Sequence, residues 1–219
     1  QFVSITLVII LGMFLNTCGQ MTSKGEGMGS KSIEEASGTT DDTTTTDDTT
    51  TTDDTNTVSS GLFVAVGASG TFLKSTDNGA SFSTVTSPTS KELRGVGFGN
   101  NTFVGVGYPG TIVRSTDNGS SFDNATSPTS INLRGVGFGN NTFVAVGDSG
   151  IIVRSTDNGS SFSTVTSSTS NHLKGVGFGN NTFVAVGDSG NIVRSTDNGT
   201  SWESTTTDSN SKLYVSWSE

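Results

Sequence analysis

The sequence has very few of the residues that build disulfide, metal and acid–base sites. Its 219 residues include one cysteine, Cys18, one histidine, His172, two tyrosines and three prolines. A single cysteine excludes an intramolecular disulfide framework and any zinc site made from several cysteines. The lone histidine has no metal-binding or catalytic group beside it in the sequence. We therefore expect no cofactor and no metal.

Positive charge is also scarce. The formal net charge is −9; residues 19–60 carry nine acidic against two basic residues, and residues 61–219 carry eleven against nine. Because no basic field is available to attract a phosphate backbone, nucleic acid is not an expected partner.

A long apolar run occurs at the start of the chain. Residues 2–15, FVSITLVIILGMFL, are short for a membrane span and match the hydrophobic region of a secretory signal. The following LNTCGQ resembles the lipobox of bacterial lipoproteins, which implies a signal peptide over 1–17 and a lipidated Cys18. The residues after Cys18 lack the aspartate of inner-membrane retention, which favours the outer membrane. An ordinary secretory signal with an unmodified cysteine is the alternative.

Residues 18–60 then read as a tether. A DDTTTT cycle fills most of residues 38–57, with almost no apolar side chains and with paired carboxylates. Such a segment cannot bury enough surface to offset chain entropy, and its charges keep it extended. Calcium binding or O-glycosylation are alternatives, although the spacing matches no calcium loop.

From residue 61 onward the sequence repeats every 40 residues with no insertion. Alternation and turn signals divide one copy into four strands, named a to d and predicted at 93–99, 102–107, 111–116 and 120–126. Asn-Asn separates a from b, and Asp-Asn-Gly separates c from d, as tight hairpins require. The pattern predicts an all-β domain over 61–219, a small β-propeller of four blades.

The two ends of this array are unequal. The first copy begins with strand b at Gly61, whereas residues 212–217, KLYVSW, form a surplus strand a. We predict that this C-terminal strand completes the first blade and closes the ring, which removes open sheet edges. A larger propeller, or pairing of two chains, are the alternatives.

The c–d turn carries the motif STDNGSSF at 115–122, with near-copies at 75–82, 155–162 and 195–202. It is similar to the Asp-box, or BNR, repeat of sialidase-like propellers and of propellers resembling the photosystem II assembly factor. An aspartate in a tight turn accepts backbone N–H bonds, so the motif indicates structure rather than chemistry. The predicted structural residues are Asp77, Asp117, Asp157, Asp197, Gly79, Gly119, Gly159, Gly199, Phe82, Phe122, Phe162 and Trp202.

Catalysis is not predicted. The resemblance to sialidases would require three converging arginines and a Tyr–Glu nucleophile pair, but the bases recur at equivalent repeat positions and neither tyrosine has a repeat-placed glutamate beside it. A sialidase-like glycoside hydrolase is an alternative, as is an anion site made by the strand-a bases Arg94, Arg134 and Lys174.

The b–c turns and d–a loops differ between copies, and in an up-and-down blade both lie at one end. This variation indicates either drift in tolerant loops or a binding face. The candidate residues are Lys91, Glu92, Tyr108, Ile131, Asn132, Asp148, Asn171, His172, Asp188 and Asn191.

Together these features predict a non-catalytic binding or scaffold propeller. It would be exported, anchored by lipid to a bacterial membrane, and displayed at the cell surface or in the periplasm to a protein or glycan partner. An assembly factor for a membrane protein complex is an alternative that the family resemblance implies. Propellers host binders and enzymes alike, so the fold does not decide between them.

Overall fold

A computed structural model describes residues 61–205 and 207–216 of the chain. The predicted signal peptide, Cys18 and the tether lie outside these residues. Within the described ranges, no helix is long and apolar enough to cross a membrane.

The described residues form fifteen strands in four antiparallel sheets, which we call blades 1 to 4 in chain order. Blade 1 contains β1 (Phe63–Val66), β2 (Phe72–Ser75) and β3 (Ser83–Val85). Blade 2 contains β4 (Leu93–Gly99), β5 (Thr102–Gly107), β6 (Ile112–Ser115) and β7 (Asp123–Asn124). Blade 3 contains β8 (Leu133–Gly139), β9 (Thr142–Gly147), β10 (Ile152–Ser155) and β11 (Ser163–Val165). Blade 4 contains β12 (Leu173–Gly179), β13 (Thr182–Gly187), β14 (Ile192–Ser195) and β15 (Glu203–Thr205).

The prediction of an all-β propeller with four antiparallel sheets is confirmed. Strands a and b of blade 2 have the predicted bounds, and the Asn-Asn turn between them has positive φ at both residues, 47° at Asn100 and 55° at Asn101. In blades 1, 3 and 4 a short 3-10 turn joins strands b and c, at Ala68–Gly70, Asp148–Gly150 and Asp188–Gly190.

Strand d is shorter than predicted. In blade 2 it covers Asp123–Asn124 rather than 120–126. The backbone N–H groups of Ser120 and Ser121 both donate to Asp117 Oδ1, at 3.0 Å each. Because the aspartate takes these donors, they are not available to the sheet ladder, and pairing begins after the turn.

The hydrophobic core lies between neighbouring blades. One cluster joins Val64 and Phe72 of blade 1 to Val96 and Phe103 of blade 2, and equivalent clusters join blade 2 to blade 3 and blade 3 to blade 4. Strand a approaches the next blade closely: a Cβ at Gly99 would lie 2.0 Å from Phe138 Cδ1. Glycine is therefore required there for the Phe138 ring to pack.

The structure corrects the predicted exchange of the C-terminal strand. Among the described residues, β1 pairs only with β2, so blade 1 has three strands, and 212–216 make no strand pair. Instead, Leu213 N–H donates to Gly187 O at 3.0 Å, as Leu93 N–H does to Gly67 O at 3.0 Å. Residues 212–216 therefore lie beside blade 4 through the same backbone hydrogen bond that holds β4 beside blade 1.

Candidate functional site

The hairpins of the four blades have two different ends. We call one end the turn face; it consists of the b–c turns (68–70, 108–110, 148–150 and 188–190) and the d–a loops (87–92, 127–132, 167–172 and 207–212). The other end carries the c–d turns at 77–79, 117–119, 157–159 and 197–199, which we call the aspartate turns.

In blades 2, 3 and 4, backbone hydrogen bonds hold the b–c turn against the d–a loop that precedes the blade. Tyr108 N–H donates to Glu92 O at 2.8 Å, and Asp148 N–H donates to Asn132 O at 2.9 Å. A Cβ at Gly107 would lie 1.9 Å from Glu92 O, so this backbone contact depends on glycine. The two variable segments therefore lie together, as the sequence predicts.

Asp148 is the centre of a polar cluster on the turn face. Its carboxylate pairs with the guanidinium of Arg134, with Nη2 3.1 Å from Oδ2, and accepts a 3.0 Å bond from Asn132 Nδ2. Burial opposes the charged carboxylate, but the bonds from Arg134 and Asn132 outweigh it and hold the pKa of Asp148 below its usual range.

His172 joins the same cluster from the next d–a loop. Its Nδ1 lies 3.1 Å from Asp148 Oδ1 and 3.1 Å from the Ser149 backbone nitrogen. Nδ1 can accept from Ser149 N–H or donate to the Asp148 carboxylate, but a single ring nitrogen cannot do both at once. Blade 4 thereby contributes a side chain to the turn of blade 3.

Blade 4 has an equivalent ion pair between Lys174 Nζ and Asp188 Oδ2, at 2.9 Å. The hydrogen bond from Lys174 lowers the pKa of Asp188. Arg134 and Lys174 are thus each neutralised by an acid of their own blade. This corrects the alternative in which three strand-a bases form one ring for an anion.

Blade 2 differs because Tyr108 stands where blades 3 and 4 have these aspartates. Two guanidinium groups lie over its ring, Arg94 at 4.9 Å and Arg134 at 5.4 Å from the ring centre. Arg94 also pairs with Glu92 at 2.7 Å, and 43% of its side chain is exposed. Blade 2 therefore presents an aromatic ring beneath a partly exposed, ion-paired arginine, where blades 3 and 4 place an aspartate against the strand-a base.

The Tyr108 hydroxyl is buried and has no hydrogen-bond partner among the described residues. Burial raises the pKa of Tyr108, although Arg134 and Arg94 act in the opposite direction. An unpaired buried hydroxyl costs free energy, so it marks a place where the protein's own bonding is incomplete.

The remaining candidate residues lie on exposed loops. Lys91, Ile131 and Asn171 each donate a backbone N–H to the threonine hydroxyl two residues earlier, at 3.0–3.1 Å. The loop backbone is therefore repeated, while the side chains that it presents differ. Asn191 borders a polar groove of about 280 Å³ whose other lining residues include Ser168, Ser189 and Asn210.

In the aspartate turns, the hydrogen bonds of the carboxylate stay within the turn. Asp117 accepts from Ser115 Oγ at 2.7 Å, from Ser121 N–H at 3.0 Å and from Ser121 Oγ at 2.6 Å. Hydrogen bonds from the flanking serines lower the pKa of Asp77 to about 2 and that of Asp197 to about 2. These carboxylates are thus already occupied by their own turns.

The closing aromatics of these motifs are buried in three blades: Phe122 is 5%, Phe162 7% and Trp202 8% exposed. Phe82 of blade 1 is 39% exposed. Within the part of the chain that the structure describes, no three His, Cys, Asp or Glu side chains come together as a metal site requires.

No protein-family model and no curated protein matches the chain. Solved structures do match. A structure of YCF48 bound to D1 peptide aligns with a TM-score of 0.54 and 20% identity over 67% of this chain and 51% of that one. An ancestral GH74 enzyme aligns with a TM-score of 0.54 and 22% identity over 64% and 22% of the two chains. A nidogen/laminin complex aligns with a TM-score of 0.55 and 12% identity over 67% and 60%.

At these identities the likeness shows the β-propeller fold alone. The chain spans about half of the YCF48 chain and less than a quarter of the GH74 chain. Since one of these neighbours is described with a bound peptide and another as an enzyme, the fold leaves both classes of function open.

The pairing of strand-a bases with b–c turn acids was not predicted from the sequence. The signal was present: Arg134 and Lys174 are each followed 14 residues later by aspartate, whereas Arg94 is followed by Tyr108. A comparison of charges between copies would have separated blade 2 from blades 3 and 4.

Proposed function

We propose that this chain is a non-catalytic propeller that binds a protein segment on its turn face. The observation that carries the proposal is the Tyr108 site, where a buried hydroxyl has no hydrogen-bond partner among residues 61–205 and 207–216 and a half-exposed Arg94 lies over the same ring. Aromatic and arginine side chains are the types that dominate binding energy in protein interfaces. The YCF48 structure with its bound peptide supports this mode for the fold.

The acids of the turn face support binding rather than hydrolysis. A glycosidase needs a carboxylic acid whose pKa is raised so that it can protonate the leaving group. The pKa of Asp148 and the pKa of Asp188 are lowered instead, by hydrogen bonds from Arg134 and Lys174. These carboxylates are suited to holding positive side chains in place.

Binding can be tested with the full chain immobilised and a phage-displayed peptide library as the probe. We expect selected peptides to lose at least about tenfold in affinity with Tyr108→Ala or Arg94→Ala, since interface anchors of this type cost more than about 1.4 kcal/mol. Asp123→Ala on exposed β7 is the matched control and should change nothing. Peptides that bind all four proteins equally would place the site elsewhere.

The alternative of a glycoside hydrolase has support from the GH74 neighbour alone. Turnover of a fluorogenic sialoside by the full chain, abolished by Arg94→Ala, would contradict the non-catalytic proposal. Absence of turnover together with peptide binding on the turn face would agree with it.

Export and lipid anchoring remain part of the proposal. They rest on the apolar run at 2–15 and on the LNTCGQ sequence around Cys18. In a bacterial host, radioactive palmitate should label the wild-type chain and should not label Cys18→Ala. Equal labelling of both chains, or of neither, would remove the lipid anchor and the surface display that depends on it.

A further inference from the structure

The three contacts between neighbouring blades repeat one design. The glycine of each aspartate turn packs on a strand-b valine of the preceding blade, so that a Cβ on the glycine would lie 2.7–3.0 Å from the valine Cγ2. The pairs are Gly119 with Val64, Gly159 with Val104, and Gly199 with Val144. Each contact therefore joins two different faces. We call the face that carries the strand-b valine the trailing face, and the face that carries the aspartate-turn glycine the leading face.

Hydrogen bonds from an asparagine also join two of these contacts, blade 2 to blade 3 and blade 3 to blade 4. Asn158 Nδ2 donates to Thr102 Oγ1 at 2.6 Å, and Arg114 Nε donates back to Asn158 O at 2.7 Å. Asn198 makes the same two bonds with Thr142 and Arg154, both at 2.7 Å. Side chains of the trailing face thus hold the next blade by its asparagine.

The trailing face of blade 4 has the same residues but is less buried. Thr182, Val184 and Arg194 repeat Thr142, Val144 and Arg154. Val144 is fully buried, whereas Val184 is only partly buried. Arg194 Nη1 lies 2.7 Å from Glu203 Oε1 of its own blade, and 45% of the Arg194 side chain is exposed.

The leading face of blade 1 is open in the corresponding way. Among the described residues, no atom lies within 4 Å of where a Cβ on Gly79 would stand, although its counterparts in the other blades each meet a valine. Phe82 is 39% exposed, whereas its counterparts are 5–8% exposed. The asparagine that would be held, Asn78, has positive φ like Asn158 and Asn198, 60° in each.

We infer that a second copy of this chain covers these faces, with the leading face of blade 1 docked on the trailing face of blade 4. Gly79 of one copy packs on Val184 of the other, and Arg194 exchanges Glu203 for the Asn78 carbonyl. This interface is the one that the chain already makes three times between its own blades. It goes beyond the proposed function, because it does not involve the Tyr108 site.

The same docking places the open edge of β1 next to 212–216 of the other copy. Those residues follow blade 4 in the position of an inner strand, with Leu213 N–H bonded to Gly187 O at 3.0 Å. The contact is head-to-tail: it joins two different surfaces, and such contacts form rings when the rotation closes. Covering an open strand edge also removes a template for uncontrolled association.

The mass of the full chain in detergent, measured by light scattering after gel filtration, tests the contact. We expect two or more copies for the wild type and one copy for Phe82→Asp, which places a charge in the docked surface. Ile131→Asp is the matched control, because Ile131 is 38% exposed but lies in a d–a loop, and it should keep the wild-type mass. A monomeric wild type, or equal masses for the two variants, would overturn the inference.

Crosslinking identifies the two faces directly. In a Cys18→Ser background, one chain carries Asn78→Cys and another carries Thr182→Cys, the positions whose counterparts bond at 2.6–2.7 Å. A short bis-maleimide should join the two chains when they are mixed and should join neither chain to itself. A third chain carries both cysteines. No product on mixing the single variants, or an internally linked monomer from the double variant, would contradict docking between copies.

Discussion

The two ends of each hairpin contrast sharply although they belong to the same repeat. At the aspartate turns, four nearly identical sequences satisfy their hydrogen bonds within each turn, as Asp117 does with Ser115 and Ser121. At the turn face, the hydrogen bonds join different segments, as those from Arg134 and Asn132 to Asp148 do, and the residues change from copy to copy. The residues that repeat in every copy therefore stabilise the fold, and the residues that differ between copies are the candidates for binding.

The largest effect expected from this contrast is acid unfolding driven by the aspartate turns. Serine hydrogen bonds lower the pKa of Asp77 to about 2 and that of Asp197 to about 2, from 3.8. A lowered folded-state pKa contributes stability above the unfolded value of about 3.9, and that stability is lost as the pH falls towards 2. Urea unfolding midpoints should therefore fall steeply between pH 4 and pH 2. A constant midpoint across this range would contradict the structural role.

A single serine of an aspartate turn should have the next largest effect. Ser155 is 2% exposed; its Oγ donates to Asp157 at 2.7 Å and accepts from Gly159 N–H at 2.9 Å. Ser155→Ala leaves a buried N–H without an acceptor, which should lower the free energy of unfolding by about 1–3 kcal/mol. Chemical denaturation measures it, with exposed Ser163→Ala as control. Equal stability of the two variants would show that the turn does not need its hydroxyl.

The smallest change in stability is expected on the turn face, at Tyr108. Tyr108→Phe removes a buried hydroxyl that has no partner among the described residues, so stability should be unchanged or should rise by up to about 1 kcal/mol. Peptides selected on the wild type should nevertheless bind the variant more weakly, because the ligand supplies the missing partner. A clear loss of stability would mean that the hydroxyl serves the fold.

The sequence predicted what depends on local pattern. The bounds of β4 and β5 and the tight turns at Asn100 and Asp117 follow from alternation and from residues that accept positive φ. Strand d was overestimated because side-chain capture of backbone N–H groups by Asp117 leaves no mark in the alternation. The closing of blade 1 could not be judged, because the rotation from blade to blade depends on packing rather than on the repeat length.

The candidate site was predicted in position but not in connectivity. The variation between copies correctly brought Tyr108 and Glu92 to one end. It did not show that Arg134 is neutralised by Asp148, since the distance between two side chains in a turn depends on the backbone contact at Gly147.

The bonds between blades determine how the fold would tolerate the loss or gain of a whole repeat. Arg114 donates to Asn158 and Arg154 donates to Asn198, so each of these two bonds among the described residues joins one repeat to the next. Removing or duplicating a whole 40-residue unit therefore leaves each remaining contact with a partner of the same type, as in other repeat proteins. The number of blades could thus change by whole repeats while the chemistry that joins neighbouring blades is preserved.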